Sequence, residues 1–582
     1  MEPGRIHRII EEGIQREASA DLSWTGGFGD YLGIVAENPR VCRNAFQRLL
    51  DMILSYGTVE YASHGDKITH CNFFDDPLND GRDALLGLDR QAVPLLGHLR
   101  AAAAGLGAER RLLLLQGPPG SGKTAILRLL KRGLEEYSAT AEGALYTFRW
   151  VIPDGPDRGE HPCPLREDPL KLIPEPLRAQ VIEEASKEIE DCSRISVPGP
   201  LCPSCRARAQ DLLRRHQGDW AKMVEHVQVV RCILSEQDRA GIGSIRPGVE
   251  AGAEPLAPAA EVPLATGTPG AGLRLQGIQA EFQAANRGLL ECARLGELAA
   301  PVLREVLDAC AGHSIKPPDH GPTGLDLVVV GHGEIETCRR LREEGAIEGL
   351  QDRVVAVEIP YITTWRDEVQ AHGRRFDCSR IQGRHLPESA IAAAALWAVL
   401  TRLREPAIAG RTILERLWAL NGTPVPGLDE TTLAELARDR EGDGLQGASP
   451  LIVQDRIARA LFCDEGRACL DPFRLLNAIG AGLRRDPPSG GLEVRERQET
   501  LLEMARQECQ RLLLDGFQLA VAGDEDAVRR LAEGSMDEDC RERIEIIKSR
   551  LVESQGCCKE CAGVLLTHLA SDLAGGCPRV GN

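Results

Sequence analysis

The sequence predicts an α/β fold in which a parallel sheet carries a glycine-rich turn, followed by a helical C-terminal half. Three observations predict it. The apolar run Leu112–Leu115 leads through a Gly/Pro turn into an amphipathic segment from Lys123 to Tyr137. Two further β-like runs follow at 325–330 and 354–359. After Ala390 the pattern is almost entirely helical.

Residues 1–80 form a segment that we expect to be helical. Its clearest pattern lies between Pro39 and Tyr56, where apolar residues recur at helical spacing with polar residues between them. The apolar positions are Val41, Ala45, Phe46, Leu49, Leu50, Ile53 and Leu54. An amphipathic helix is predicted next, from Leu85 to Gly105.

Residues 81–375 are predicted to hold the sheet, with helices on both faces and an insertion over 151–275. The insertion is rich in proline, and its tract from Gly248 to Gly272 has the Ala/Pro/Gly composition of a linker. Residues 376–582 are predicted to form a helical lid and a helical C-terminal domain. Their helical patterns include 390–404, 449–462 and 497–514.

Charge and length restrict the function. A chain of 582 residues is expected to form two to four domains. The net charge of −18 argues against a nucleic acid or an anionic membrane as partner. No apolar run approaches the roughly 20 residues that span a bilayer, and the N-terminus has no pattern of a secretory signal. We therefore expect a cytoplasmic protein whose 19 cysteines are mostly reduced.

The strongest motif is a phosphate-binding loop of the form G-x-x-x-x-G-K-[ST]. It comprises Gly117, Pro118, Pro119, Gly120, Ser121, Gly122, Lys123 and Thr124. The glycines let backbone N–H groups turn toward phosphate oxygens, and the following helix adds its positive end. Lys123 is predicted to reach the β- and γ-phosphates of ATP, and Thr124 to ligate Mg²⁺ through its hydroxyl.

A second candidate site contains cysteine. Cys202 and Cys205 have the C-x-x-C spacing of a zinc knuckle, and His161, Cys163 or Cys192 could complete a tetrahedral set for Zn²⁺. The alternative is a pair of reduced thiols on a turn. Cys557, Cys558 and Cys561 near the C-terminus are interpreted as incidental thiols.

Many segments in the same order make the chain resemble the PrkA family, bacterial proteins described as serine protein kinases and built on an AAA+ module. Besides the phosphate loop, the matching segments include Asp30-Tyr31-Leu32, Phe73-Phe74-Asp75-Asp76, Gly87-Leu88-Asp89, His161-Pro162-Cys163-Pro164, Leu201-Cys202-Pro203-Ser204-Cys205, the stretch from Ala285 to Glu291, Ile359-Pro360-Tyr361-Ile362 and the stretch from Trp397 to Leu403. The resemblance implies an AAA+ P-loop core, ATP-dependent phosphorylation of a partner protein and a homo-oligomer.

The resemblance also implies roles for single positions. Gly87, Leu88 and Asp89 would flank the adenine. Glu291 would be the acidic residue of a Walker B-like pair, and with Lys123 it is a candidate catalytic residue. Arg353 would be an arginine finger that reaches the nucleotide of a neighbouring subunit. The alternative for Arg353 is a surface salt bridge with Asp352. His332 would lie near the nucleotide or pack as a strand-end histidine.

Several departures from the family pattern bear on activity. Arg294 stands at the second carboxylate, where a cation can neither accept a proton nor hold a metal ion. Gly333-Glu334 stands where the family has its sensor asparagine, and Leu451 stands where the family has an arginine after Ser449-Pro450. The linker tract replaces an acidic loop, and the C-terminal part is shortened around Met536. We expect nucleotide binding to survive while hydrolysis or phosphoryl transfer is weakened or lost.

Three hypotheses follow for function. The first is an ATP- and Mg²⁺-dependent serine/threonine kinase of the PrkA type. The second is a nucleotide-gated scaffold that assembles without turnover, which Arg294 and Leu451 favour. The third is an AAA+ unfoldase or protease, although the sequence shows no clear protease dyad. Neither a G-x-S-x-G elbow nor a eukaryotic kinase motif set is present in the sequence, so the kinase hypothesis depends on the resemblance.

Overall fold

A computed structural model of the chain describes residues 22–555 together with 559, 562–563 and 566, apart from 64, 155–157, 188–194, 249–276, 318–320, 344–348, 377–384, 464–469, 487–490, 533–534 and 536. Several predictions lie outside these residues: the helical pattern of 1–21, the linker tract after Gly248, Cys192, the region of Met536, and the three cysteines at 557, 558 and 561.

The described residues form thirteen strands and twenty helices, besides short 3₁₀ turns. The strands are β1 (Thr25–Gly27), β2 (Thr58–Ser63), β3 (Asp66–Cys71), β4 (Leu112–Gln116), β5 (Leu145–Ile152), β6 (Gly159–Pro162), β7 (Val227–Cys232), β8 (Ile242–Ile245), β9 (Leu289–Cys292), β10 (Ser314–Ile315), β11 (Thr323–Gly324), β12 (Val328–Gly333) and β13 (Val354–Glu358). The helices up to the end of the sheet region are α1 (Phe28–Glu37), α2 (Ala45–Ser55), α3 (Asp89–Ala103), α4 (Lys123–Ala139), α5 (Glu175–Ala185), α6 (Pro203–Arg215), α7 (Trp220–Val224), α8 (Ile278–Ala285), α9 (Ala300–Gly312), α10 (Ile335–Glu343), α11 (Leu350–Arg353) and α12 (Trp365–Arg375). The remaining helices are α13 (Glu388–Arg402), α14 (Ile413–Leu420), α15 (Glu430–Arg438), α16 (Pro450–Cys463), α17 (Pro472–Arg485), α18 (Gly491–Val521), α19 (Glu525–Ala532) and α20 (Glu538–Gln555).

The central sheet is parallel and has the strand order β13-β4-β12-β9-β8. The strand that leads into the phosphate loop, β4, is paired on both sides, since Leu113 lies opposite Val330 of β12 and Val355 of β13. This arrangement confirms the predicted α/β core. The strand predicted at 325–330 begins three residues later, so that His332 lies within β12 rather than after it.

The four leucines of β4 are divided between two hydrophobic cores. Leu112 and Leu114 belong to a core on one face of the sheet, and Leu113 and Leu115 to a core on the other. All four are nearly inaccessible to solvent. A strand of a parallel sheet that is covered on both faces needs apolar residues at every position, and this explains the unbroken run.

A second sheet, which is antiparallel, has the strand order β1-β7-β5-β6. Residues predicted as an irregular insertion, 151–275, contribute β6 and β7 to it. The same stretch also supplies β8, the edge strand of the central sheet. The prediction did not anticipate these strands. Its main obstacle is their shortness, because the pattern of a four-residue strand such as β8 is too brief to distinguish from a loop.

The prediction of an all-helical segment over 1–80 is wrong for its described part. Helices α1 and α2 are present, but β2 and β3 form an antiparallel hairpin in which Thr58 lies opposite Cys71. Strand β1 adds a further extended stretch at Thr25–Gly27. Most residues of β2 are exposed, so the strand shows no alternation of apolar and polar residues by which the sequence could reveal it.

The C-terminal half is helical as predicted. Its core is formed around α13, in which nearly every residue from Ala390 to Arg402 is buried. Helices α17 and α18 pack directly against α13. Within the described residues, none of the helices combines the length and the apolar character that crossing a membrane requires.

Candidate functional site

The phosphate loop lies at the carboxyl end of β4, where a strand passes through residues 117–122 into α4. Its first glycine packs against the neighbouring strand end, since a Cβ atom at Gly117 would lie 2.1 Å from the carbonyl oxygen of Ile359. Gly122 has a φ of 102°, in a region that residues with a side chain rarely adopt. Glycine is therefore required at the first position by contact and favoured at the second by backbone conformation, and the two together allow the loop to curl before the helix starts.

Lys123 begins α4 and turns back over the loop. Its Nζ donates to the carbonyl oxygens of Gly117 at 2.7 Å and Pro118 at 2.6 Å. Burial lowers the pKa of Lys123 to about 8, against the opposing effect of the carboxylate of Glu334. The site therefore holds a poorly solvated ammonium group that phosphate oxygens would satisfy better than two carbonyl groups.

A cavity of about 630 Å³ opens above the loop. Six residues of the loop line it, from Pro119 to Thr124. The rest of the lining is formed by Arg82, Asp83, Ala84, Leu85, Leu86, Leu88, Ala125, Arg128, Arg294, Gly296, Glu297, His332, Gly333, Glu334, Thr337, Tyr361, Ile362, Arg375, Pro450, Leu451 and Gln454. Because Pro450, Leu451 and Gln454 belong to the α16 region, the cavity lies between the sheet and the helical half. Both its volume and its position are those expected of a ligand site.

Of the predicted adenine-flanking segment, Leu88 lines the cavity. Asp89 instead faces the hairpin, where its carboxylate accepts from Tyr61 Oη at 2.8 Å and is paired with His70 Nδ1 at 2.8 Å. Gly87, with a φ of 68°, approaches Asp367 of α12. Leu88 thus supplies an apolar surface, while its two neighbours fix the segment to other elements.

Glu291 lies on β9 at the centre of a charged network. Lys131 Nζ donates to its carboxylate at 2.6 Å, and His332 Nε2 lies 3.2 Å from the other oxygen. Burial opposes ionisation, yet the hydrogen bonds from His332 and Lys131 lower the pKa of Glu291 to about 2. Among the described residues, the cavity lining includes His332 but not Glu291. The arrangement indicates that Glu291 orients His332, and its catalytic role stays a prediction.

Three departures from the family pattern, Arg294, Glu334 and Leu451, line the cavity. We name these three residues, together with Glu297, which also lines the cavity and pairs with Arg294, the divergent wall. Arg294 adopts a left-handed backbone conformation and pairs with Glu297 at 3.0 Å, with 61% of its side chain exposed. Leu451 lies against the phosphate loop, 3.4 Å from the Cβ position of Gly120. A cation and an apolar side chain thus face the site at which nucleotide phosphates are expected.

Arg353 ends α11 just before β13. Its guanidinium donates to Asp308 of α9 at 2.7 Å. The salt bridge that was the alternative interpretation of Arg353 is therefore formed with Asp308 and not with Asp352. Val354 lies opposite Leu112, at the end of β4 away from the loop. Arg353 is therefore far from the phosphate loop of its own chain, and a role at a neighbouring subunit's site stays a prediction.

Cys202 and Cys205 lie at the start of α6, where the N–H of Cys205 donates to the Cys202 sulfur at 3.5 Å. Cys163 joins them, as one of the predicted completions, and so does Glu167, which was not predicted. These four residues, whose ligand atoms all lie within 4.8 Å of one another, are named the thiol–carboxylate cluster. His161 is not part of it. Burial opposes ionisation of Cys163, but hydrogen bonds with the other two thiols hold its pKa well below the usual range.

Two cavity residues were missed by the sequence analysis. Tyr361 donates its hydroxyl proton to the carbonyl oxygen of Pro119 at 2.8 Å and so fixes the loop from the side of β13. Asp83 lines the cavity and pairs with Arg128 and Arg132 of α4. Tyr361 falls in a segment that carries the family resemblance, which could have marked it. Nothing in the local pattern around Asp83 distinguishes it from a surface carboxylate.

Comparison with known families gives two matches. The family described as PrkA AAA domain matches residues 26–409, and the family described as PrkA serine protein kinase C-terminal domain matches residues 414–534. The first match includes the phosphate loop, the central sheet and every residue of the divergent wall except Leu451. An AAA domain implies nucleotide binding, in agreement with the cavity.

Individual relatives differ in the activity that their names state. The chain is 26% identical to ATP-dependent protease PrkA of Bacillus subtilis over 498 residues, which cover 85% of this chain and 72% of the relative. It is 20% identical to serine/threonine kinase YeaG of Escherichia coli K12 over 412 residues, 69% of this chain and 59% of the relative. The same kinase from the O157:H7 strain matches equally. Similar chains thus carry two different activity names.

Proposed function

The chain belongs to the PrkA family, and on that premise we propose that it binds Mg-ATP in the cavity and transfers the γ-phosphoryl group to a serine or threonine of a partner protein. The observation that carries the proposal is the position of Lys123, a buried ammonium group at the base of a cavity of about 630 Å³. The proposal has two parts, which are nucleotide binding and transfer of the phosphoryl group.

Nucleotide binding is supported by the groups that the loop presents. The phosphate tail would contact the backbone N–H groups of the loop and the N-terminus of α4. Lys123 would exchange the carbonyl oxygens of Gly117 and Pro118 for phosphate oxygens, which are stronger acceptors because they are charged. Leu85 and Leu88 offer an apolar surface for the base.

The residues present fit a magnesium ion. Thr124 is exposed to the cavity at the start of α4, so its hydroxyl is available to a metal ion bound with the phosphates. Hydroxyl and carboxylate oxygens are ligands that Mg²⁺ accepts. Bound there, Mg²⁺ would supply neutralisation of phosphate charge.

Transfer requires a group that accepts the proton of the attacking hydroxyl. A serine oxygen would bond to the γ-phosphorus while the bond from that phosphorus to the ADP oxygen breaks, and the serine proton would pass to a base. Glu334 is the candidate base, because it follows β12 beside the loop and its charge acts on Lys123. Glu297 is less suited, since it is paired with Arg294.

A second function, a nucleotide-gated scaffold with weakened turnover, is favoured by Arg294. A guanidinium cannot act as a base at this position, and its pairing with Glu297 also occupies a nearby carboxylate. In this case ATP would close the cavity between the sheet and α16 and promote assembly of copies of the chain. We propose a homo-oligomer in either case, because Arg353 could act only on a neighbour's nucleotide.

The experiment that separates these functions uses γ-labelled ATP, purified chain and a protein mixture as acceptor, with Lys123→Ala as control. Label on protein that depends on Lys123 supports the kinase. Free phosphate without protein label supports a motor, and saturable binding with neither product supports the scaffold. Fragments of casein that appear only with ATP would favour the protease activity in the name of the Bacillus relative. Absence of Mg-ATP binding by well-folded protein would overturn the whole proposal.

A further inference from the structure

The thiol–carboxylate cluster lies outside the cavity, on the face of the central sheet away from α4. Its three cysteines belong to the hydrophobic core that also receives Leu112 and Leu114, whereas the residues of α4 belong to the other core. Nothing in the proposed function uses the cluster. It therefore calls for a separate explanation.

All four members of the cluster are buried. The three cysteines are 1 to 4% exposed, and Glu167 is 1% exposed. Burying a carboxylate is costly unless it is paired or binds a metal ion. Lys171 Nζ lies 2.9 Å from one Glu167 oxygen, while the other oxygen points to the cysteines and accepts from the Cys202 N–H at 2.8 Å. An ordinary apolar core has no need for a carboxylate among three thiols.

We infer that the thiol–carboxylate cluster binds one structural zinc ion. For ligands at about 2.3 Å (sulfur) and 2.0 Å (oxygen), tetrahedral angles place two sulfurs about 3.8 Å apart and a sulfur and an oxygen about 3.5 Å apart. The Cys163 sulfur lies 3.6 Å from Glu167 Oε2, and all ligand atoms lie within 4.8 Å of one another. Three sulfurs and one oxygen form the closed, four-ligand set of a structural zinc site.

The surroundings suit thiolate ligands. Cys202 and Cys205 open α6, whose N-terminal end favours negative charge. Backbone N–H groups donate to two of the sulfurs, from Glu167 to Cys163 at 3.4 Å and from Cys205 to Cys202 at 3.5 Å. Hydrogen bonds of this kind orient and stabilise the ligands of a metal. Lys171 offsets part of the excess negative charge.

The ligands come from two parts of the chain. Cys163 and Glu167 follow β6, and the cysteine pair begins α6 more than 30 residues later. A zinc ion would fasten the segment after β6 to the start of α6. Its function is structural, since a site with four protein ligands leaves no position for a substrate.

The test measures metal in the full-length protein, purified with a reducing agent and without chelator. We expect about one zinc per chain by mass spectrometry. Iron in its place would overturn the assignment of zinc, and so would metal-free protein that fails to bind added zinc. Cobalt substituted for zinc should give the charge-transfer absorption of thiolate ligands; a spectrum without it would exclude cysteine ligation.

Variants test the ligand set. Cys163→Ser, Cys202→Ser and Cys205→Ser should each lower zinc affinity by more than about 100-fold, and Glu167→Gln by at least about tenfold. Unchanged affinity in any of them removes that residue and overturns the set. Cys310→Ser, a buried cysteine of the same core, is the matched control and should keep its zinc. Cys192→Ser should also keep it, and loss of zinc there would overturn the place of Glu167.

A second measurement, Mg-ATP binding, distinguishes loss of the metal site from misfolding of the whole protein. Mg-ATP binding depends on the loop and on α4, which pack in the other core. A cysteine variant that loses zinc but still binds Mg-ATP supports a local metal site. If such variants lose zinc only together with all ordered structure, cobalt absorption of the wild-type protein still decides between thiolate ligation and its absence.

Discussion

Two walls of the same cavity differ sharply. The phosphate loop keeps every residue type that phosphate binding needs, and its first glycine, Gly117, is required by close packing against Ile359. The divergent wall faces it with a guanidinium, two carboxylates and a leucine. The loop binds the phosphate tail before any bond changes, so it stabilises the bound substrate in its ground state. The opposite wall in an NTPase serves the reaction itself.

From this difference we expect that substitutions can affect binding and turnover separately. A loop built into the sheet is tied to the fold, since its geometry follows from strand β4 and helix α4. Side chains of the divergent wall are exposed to the cavity and few neighbours restrain them; Leu451 is 57% exposed. Changes to one wall at a time therefore distinguish an effect on binding from an effect on turnover.

Replacing Lys123 by alanine should have the largest effect. Two charge-assisted hydrogen bonds to phosphate oxygens would be lost, at about 1.5–3 kcal/mol each, so the Kd for Mg-ATP should rise more than about 100-fold. Titration calorimetry measures it. Lys131→Ala, on the same helix but paired with Glu291, is the matched control and should retain much more affinity. Equal losses in the two variants would place the phosphates elsewhere.

Arg294→Glu should raise turnover with little change in Kd. A carboxylate at this position would add a base and release Glu297, and a positioned base contributes on the order of 10²-fold in rate. The measurement is steady-state ADP release at saturating ATP. Arg294→Gln removes the cation without adding a base and should gain far less. No gain from the glutamate variant would count against the assignment of Arg294 to the second acidic position.

Binding should weaken with rising pH. Burial lowers the pKa of free Lys123 to about 8, whereas bound phosphates favour the protonated ammonium. Below pH 8 the charged form is present before binding; above it, binding must take up a proton. At pH 9 about one-tenth of the free protein is protonated, so the Kd should be about tenfold higher than at pH 7. The Lys123→Arg variant does not titrate here, and its Kd should stay level. A level wild-type profile would contradict the titration of Lys123.

Leu451→Arg should have the smallest effect. The guanidinium would lie near the loop and meet phosphate charge, but partly exposed ion pairs contribute only about 0.2–1 kcal/mol, up to about a fivefold lower Kd. Salt should reduce the gain because the pair is screened. Leu451→Gln serves as the control of similar size. An unchanged or higher Kd in the arginine variant would show that this position does not face the phosphates.

What could be predicted from the sequence depends on how local the signal is. The leucines of β4 and the loop after them occupy thirteen consecutive residues, 112–124, and their structure follows from burial and glycine geometry alone. The helical half was predictable from its periodicity. Its core residues recur every three or four positions, as Val453, Ile457 and Leu461 do in α16.

The remainder depends on contacts between distant residues. Lys131 contacts Glu291, which is 160 positions away in the chain, and no sequence pattern around either residue indicates its partner. Glu167 joins the cysteines only because the segment after β6 lies beside the start of α6. The hairpin of β2 and β3 was missed because exposed strands lack the alternation that burial imposes. Arg294 could be located from the family pattern, but its pairing with Glu297 could not.

The divided leucine run of β4 has one further consequence. Because side chains at odd and even positions of a strand point in opposite directions, the four identical leucines enter two different cores. Their residue type alone does not show which core each one enters. Deleting one leucine would leave an apolar strand of nearly the same hydropathy, yet with Gly117 held in place every strand side chain before the deletion would change faces. The number of residues between a leucine and Gly117 thus specifies which of the two cores its side chain enters.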